Sequence, residues 1–330
     1  MGISTFLNTS VGMYVVQSFC HSLVAAVLVD RALKAWKIYD PLIRQRFRLI
    51  VILFPIFSFP LYQLINPARS SVFFRMEALF DSSRWLTLEL GWGVPVGVLF
   101  LVMLGATSLV FLFQELIPVL RHTMTPKHSV DEGTHFDAGT FVQDTAKVLA
   151  IRKPEVILID EEEPFLFSAT GREAVIYLSS GLTRVLSSEE LRAAIAHELA
   201  HIARSRRPLL VALFLFRIVQ FFNPVVLVKY RRAVRDEEKI CDDIAVALTG
   251  NRGALAGALK NFYQKPDKKH VLSSLQSSSA NMSLEEYSHN LHLESRIARL
   301  ETEPAGPEPD PLAPFVLTLS AVVLLNYLIV

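Results

Sequence analysis

Cysteine is scarce in this 330-residue chain, which holds only Cys20, in an apolar stretch, and Cys241, in a charged one. Two thiols so separated and so differently housed exclude a disulfide framework. Net charge is nearly absent, at +1. No broad basic or acidic field exists to attract nucleic acid or an acidic ligand, and no nucleic-acid partner is expected. Charged residues make up 20% of the chain against 51% hydrophobic. That balance is too apolar for a soluble domain and must concentrate in segments. No basic region precedes the first apolar run, so this run is expected to be an uncleaved anchor.

About 20 mostly apolar residues are needed to cross roughly 30 Å of hydrocarbon. Residues 11–29, 49–65 and 92–113 approach this, and residues 312–330, at about 1.5 Å per residue, reach roughly 28 Å. A soluble protein would have to hide all four runs in one short chain. The first loop carries Arg31, Lys34, Lys37, Arg44, Arg46 and Arg48 against Asp30 and Asp40. The positive-inside rule makes that loop cytoplasmic and puts the N-terminus outside. Everything from about residue 114 then returns to the cytoplasmic side, as expected of a multi-pass protein of the cell (inner) membrane.

Within the polar portion, residues 123–139 read as a linker and 141–149 as a helix. Residues 155–159 and 174–178 read as strands. The run Glu161-Glu162-Glu163-Pro164 between them suits a solvated turn better than a metal site. The clearest helix spans about 185–204. Ser187 and Glu190 form a capping box, Leu186 and Leu191 a staple, and Ala193, Ala194, Ala196 and Ala200 keep its surface slim. Residues 265–283 are polar and Ser-rich, a loop. Five prolines between 304 and 314 make an extended tether of residues 301–314.

His197 and His201 stand four apart on that helix, so both imidazoles project from one face and can bind one Zn²⁺ per chain. Glu198 on the adjacent flank can act as general base toward a water, completing His197-Glu198-Leu199-Ala200-His201. Catalytic zinc takes a third protein ligand, for which Glu238 is the candidate. It shares a helical face with Asp242, which can fix the tautomer of a ligand histidine. Glu237 is the competitor, and Cys241 reads as a soft ligand or as a small buried residue.

These residues, together with Phe222-Asn223-Pro224 and Glu238-Lys239-Ile240-Cys241-Asp242, resemble the BlaR/MecR family of antirepressor membrane metallopeptidases. The resemblance runs from about residue 154 to 248. HtpX-type proteases are more distantly similar, and their later motif is echoed by His292 and Arg296-Ile297. The resemblance implies a mostly α fold: a polytopic helical membrane protein with a cytoplasmic zincin-like α+β metallopeptidase domain. It also implies that residues 174–178 form an edge strand pairing with substrate. β-Lactam-sensing members carry a penicillin-binding domain after the last span, which this sequence, ending at Val330, does not include.

The expected organisation is three transmembrane helices in 1–115, the peptidase domain in 116–300, the tether in 301–314 and a C-terminal transmembrane helix in 315–330. Residues 209–228 are apolar but contain Arg217, Gln220 and Asn223-Pro224. For Glu238 to meet His197 and His201, both ends of this stretch must lie on one side of the membrane. It is therefore expected to lie on the surface or enter and turn back. The expected reaction is peptide-bond hydrolysis with Arg296 as candidate oxyanion stabiliser, His289 and His292 being alternatives; a helix-surface arginine is the competing and more ordinary reading of Arg296. The substrate is a protein, either a cytoplasmic repressor cut in regulation or a membrane protein removed in quality control. A zinc-stabilised signalling subunit without catalysis is the remaining alternative, and Glu198 weighs against it.

Overall fold

The computed structural model describes residues 9–90, 93–117, 134–135, 139–169, 173–205, 209–263, 293–302 and 310–330. Outside them lie the 265–283 stretch, His289, His292, most of the 123–139 linker and residues 303–309 of the tether. The longer helices are α1 (Ser10–Ala35), α2 (Pro41–Ile65), α3 (Val96–Phe111), α4 (Gly139–Val148), α5 (Ser188–Ser205), α6 (Leu209–Val219), α7 (Pro224–Thr249), α8 (Arg252–Tyr263), α9 (Leu293–Glu301) and α10 (Leu312–Tyr327). One four-stranded sheet holds β1 (Thr134–His135), β2 (Glu155–Ile159), β3 (Leu166–Ala169) and β4 (Val175–Ser179). The chain is mostly helical with a small α+β portion. It separates into two compact units that do not follow chain order.

The first unit comprises Met1–Gln114, Val211–Asp236 and Ala305–Val330. In it α1, α2 and the helix Val96–Leu116 are long and apolar enough to cross a membrane, while α10 has only 16 residues. Thr9 caps α1 by accepting from Gly12 N at 3.1 Å, and Asp40 caps α2 by accepting from Ile43 N at 2.9 Å, with Pro41 in the first helical position. Ala25 and Ala26 let α1 lie close to Phe47 and Val51 of α2, with Val322 of α10 in the same cluster.

α6 has 11 residues, about 16 Å of helix and roughly half a bilayer. It ends in a buried polar turn. Asn223 Oδ1 accepts from Val225 N at 3.1 Å and so caps α7. Its Nδ2 donates to Ser22 Oγ at 3.0 Å and Gln220 Oε1 at 3.1 Å. Ser18 Oγ donates to Gln220 Oε1 at 3.1 Å, and Gln220 Nε2 donates to Ile52 O at 3.0 Å. An Asn-Pro break in an apolar run is costly in hydrocarbon unless its polar groups find partners, and α1 and α2 provide them. Further along α7, Lys229 and Arg232 pair with Asp30, and Asp236 pairs with Arg48.

The second unit comprises Glu115–Leu210 and Glu237–Pro304. Its strand order is β1-β2-β4-β3, with β2 and β4 parallel and β3 antiparallel to β4. This corrects one expectation. The strand placed at 174–178 is β4, paired on both sides, and among the described residues the edge beside it belongs to β3. Edge position is set by long-range pairing, which local β-propensity does not encode. Val156, Ile176 and Leu178 of the sheet pack with Val142 of α4 and with Ile195, Leu199 and Ile202 of α5 in one core. Glu161 and Glu162 are exposed in the turn after β2. Its backbone lies against Gly181, where a Cβ would stand 1.9 Å from the Glu162 carbonyl oxygen.

Candidate metal centre

α5 begins with the capping box its sequence predicts. Ser187 N donates to Glu190 Oε2 at 2.9 Å, and Glu190 N donates to Ser187 Oγ at 3.4 Å. Leu186 and Leu191 join the core below. Ala193, Ala196 and Ala200 are fully buried, and that slim face lets neighbouring side chains approach the two histidines.

His197 and His201 are buried, with their Nε2 atoms 3.0 Å apart. Glu238 of α7 brings Oε2 to 3.7 Å from His197 Nε2 and Oε1 to 3.5 Å from His201 Nε2. One ligand atom from each of the three lies within 4.8 Å of the others. Glu237 points elsewhere. Both its oxygens bind Arg204, Oε2 accepting from Nη2 at 2.6 Å.

The far sides of the two rings meet different partners. Asp242 Oδ1 lies 3.1 Å from His197 Nδ1, and Cys241 Sγ lies 3.6 Å from His201 Nδ1. Burial pushes the Cys241 thiol pKa up; it would lower that of His201, but Cys241 and Glu238 override it and raise the His201 value. Burial would raise the Asp242 carboxyl as well, but Arg296 and His197 override it and hold it well below the usual carboxylate range.

Arg296 of α9 is 1% exposed and not a solvated surface residue. Its Nε and Nη2 donate to the two oxygens of Asp242 at 2.9 and 2.7 Å, and its Nη1 donates to Glu238 Oε2 at 3.0 Å. The guanidinium thus braces both carboxylates.

The donor set fits a divalent cation on charge as well as chemistry. Glu198, Glu238 and Asp242 bring three negative charges within this buried cluster, and Arg296 returns one positive. With both imidazoles neutral, as metal ligation requires, the remainder is two negative charges, which a dication balances. Two nitrogens and a carboxylate are ligands zinc accepts.

Sequence reasoning missed several partners. Ser168 of β3 donates through Oγ to Glu198 Oε2 at 2.7 Å, and no sequence signal ties residues so far apart. Cys241 beside His201 and Arg204 on Glu237 were equally hidden, although i,i+4 spacing from Glu237 does mark Cys241 as facing the same helix side. A small pocket, partly open to solvent, adjoins His197 and Glu198, walled by Leu166, Leu182, Leu186, Leu255 and Leu259.

Comparison with known proteins gives the family. "Protease HtpX homolog" chains from Burkholderia mallei (strain SAVP1) and Burkholderia pseudomallei (strain K96243) are each 32% identical over 142 residues, covering 42% of this chain and 45% of the relative. The chain therefore matches less than half the length of these relatives. Residues 92–286 match the family described as BlaR1 peptidase M56. That stretch is more than half of the chain and takes in His197, Glu198, His201, Glu238 and Asp242, so the chain belongs to the BlaR1 peptidase M56 family.

Proposed function

We propose that this chain is a zinc metalloendopeptidase of the cell (inner) membrane, cutting a protein substrate near the cytoplasmic face. The observation that carries the reading is the convergence of His197, His201 and Glu238 at one point with Glu198 beside it. His197, His201 and Glu238 would hold the metal. Asp242 and Cys241 steady the two rings from behind, and Arg296 orients Glu238 and Asp242. Three of the five Arg296 N–H groups serve the two carboxylates, and its Nη2 also lies 3.3 Å from His197 Nε2, so the same guanidinium stands where it can stabilise an oxyanion. Zn²⁺ held there supplies a Lewis acid and makes water acidic enough to lose a proton near neutral pH. Glu198 takes that proton on a carboxylate oxygen and later delivers it to the departing amine. The leucine-walled pocket offers an apolar surface to a substrate side chain, and the edge of β3 offers main-chain groups to an extended peptide.

The family supports regulatory cleavage of a repressor-like cytoplasmic protein as the role. The HtpX-named relatives favour a second reading, quality control of membrane proteins. A discrete cut in one folded repressor separates the first from the second, which expects breakdown of misassembled membrane proteins. For membrane placement, residues 209–228 would enter the bilayer and turn back, with both ends on the cytoplasmic side.

The deciding experiment compares the detergent-solubilised protein with its Glu198→Gln variant for zinc content and casein cleavage. Near one zinc per chain in both, with cleavage in wild type alone, is the expected result. Equal zinc with no cleavage in either would point to a narrow substrate range or to the non-catalytic signalling subunit, and absence of zinc from both would overturn the proposal.

A further inference from the structure

Ser168 occupies an unusual position on the free edge of the sheet. In an antiparallel pair, successive residues alternate between facing their partner strand and facing away. Ser179 N donates to Phe165 O at 3.1 Å, which directs the main chain of 165, 167 and 169 toward β4. The main-chain groups of Leu166 and Ser168 therefore face the open edge. Their side chains, two residues apart, share one face of the sheet. On that face Leu166 lines the cavity beside Glu198, and Ser168 Oγ donates to Glu198 Oε2.

Both members of this hydrogen bond are 4% exposed. It is the only hydrogen bond made by the Glu198 carboxylate among the described residues. A serine in a strand has nearer acceptors in its own backbone, yet this hydroxyl reaches across 30 positions of sequence to the general base. A carboxylate held by one charge-assisted bond keeps one oxygen fixed and presents the other.

We propose that Ser168 is a positioning residue that aims Glu198, acting from the strand that a substrate backbone would join. The inference rests on the peptidase reading given above. An extended peptide adding to β3 would bond to the main chain of Leu166 and Ser168, while the Ser168 side chain holds the base. Substrate register and base orientation are then set by one residue. Losing such a supporting hydrogen bond lowers turnover more than binding, because the bond matters most as the proton moves.

The test uses the full chain in detergent with labelled casein as probe, comparing wild type, Ser168→Ala and Ser168→Thr, with bound zinc measured in each. Ser168→Ala is expected to lower kcat about 10–100-fold with KM and zinc unchanged. Ser168→Thr, which keeps the hydroxyl, is expected to restore most of the loss. Wild-type kcat in Ser168→Ala, or a loss that appears only in KM or only through lost zinc, would overturn the proposal.

Melting temperatures of wild type, Ser168→Ala, Glu198→Ala and the double variant give a reading independent of turnover. A drop on Ser168→Ala that disappears in the Glu198→Ala background supports the pairing, and an equal drop in both backgrounds overturns it. Casein left intact by wild type would count against the peptidase reading alone, with the melting cycle still deciding whether Ser168 holds Glu198.

Discussion

Two buried polar clusters in this protein obey different accounts of charge. Ser18, Ser22, Gln220 and Asn223 have neutral side chains that bond to one another and to the Ile52 carbonyl, and a buried cation beside them, Arg217, donates to the Gln220 carbonyl at 2.8 Å. His197, Glu198, His201, Glu238, Asp242 and Arg296 are also buried, but carboxylates outnumber the guanidinium, and two ring nitrogens and a carboxylate converge on one point. A buried cluster complete in itself costs little and fixes geometry. One left with excess charge is costly unless something enters to balance it. The difference separates a structural joint from a candidate site, although both consist of polar side chains hidden from water.

Substitutions can test that contrast, beginning with the strongest. Glu238→Ala removes a direct ligand, and zinc affinity should fall by more than about 100-fold, beyond the 10–100-fold range seen when outer partners are lost. Metal analysis after dialysis against limiting zinc would show it. Asp242→Asn keeps the shape but removes the charge behind His197, and an affinity loss of about 10–100-fold is expected by competition with a chromogenic chelator. Asn223→Ala should act only on the neutral cluster. A cap lost there costs about 1–2 kcal/mol, read as a lower melting temperature with zinc affinity unchanged. Zinc lost together with stability in Asn223→Ala would break the contrast, because the neutral cluster would then govern the charged one.

Much of the candidate site was legible in the sequence because its signals are local. The four-residue spacings of His197 with His201 and of Glu238 with Asp242 put each pair on one helix face whatever the tertiary fold. The Ser187–Glu190 capping box is equally local. What was hidden depends on pairing across the chain. β3, with the sequence Leu166-Phe167-Ser168-Ala169, is too short and too poor in β-branched residues to announce itself. Its capture of the sheet edge moved the expected edge strand, β4, to the interior. Arg296 was marked in the sequence as a cation for the site, but nothing in its neighbours shows that it would bind Asp242 and Glu238.

Gly181 carries a different consequence. The tight fit there is made by the backbone of the acidic turn and not by the acids. Glu161 and Glu162, exposed as they are, should tolerate wide exchange among polar residues, whereas position 181 should accept none but glycine. A saturation library across this segment would then give a lopsided map, permissive at the conspicuous charges and closed at the residue that has no side chain to notice.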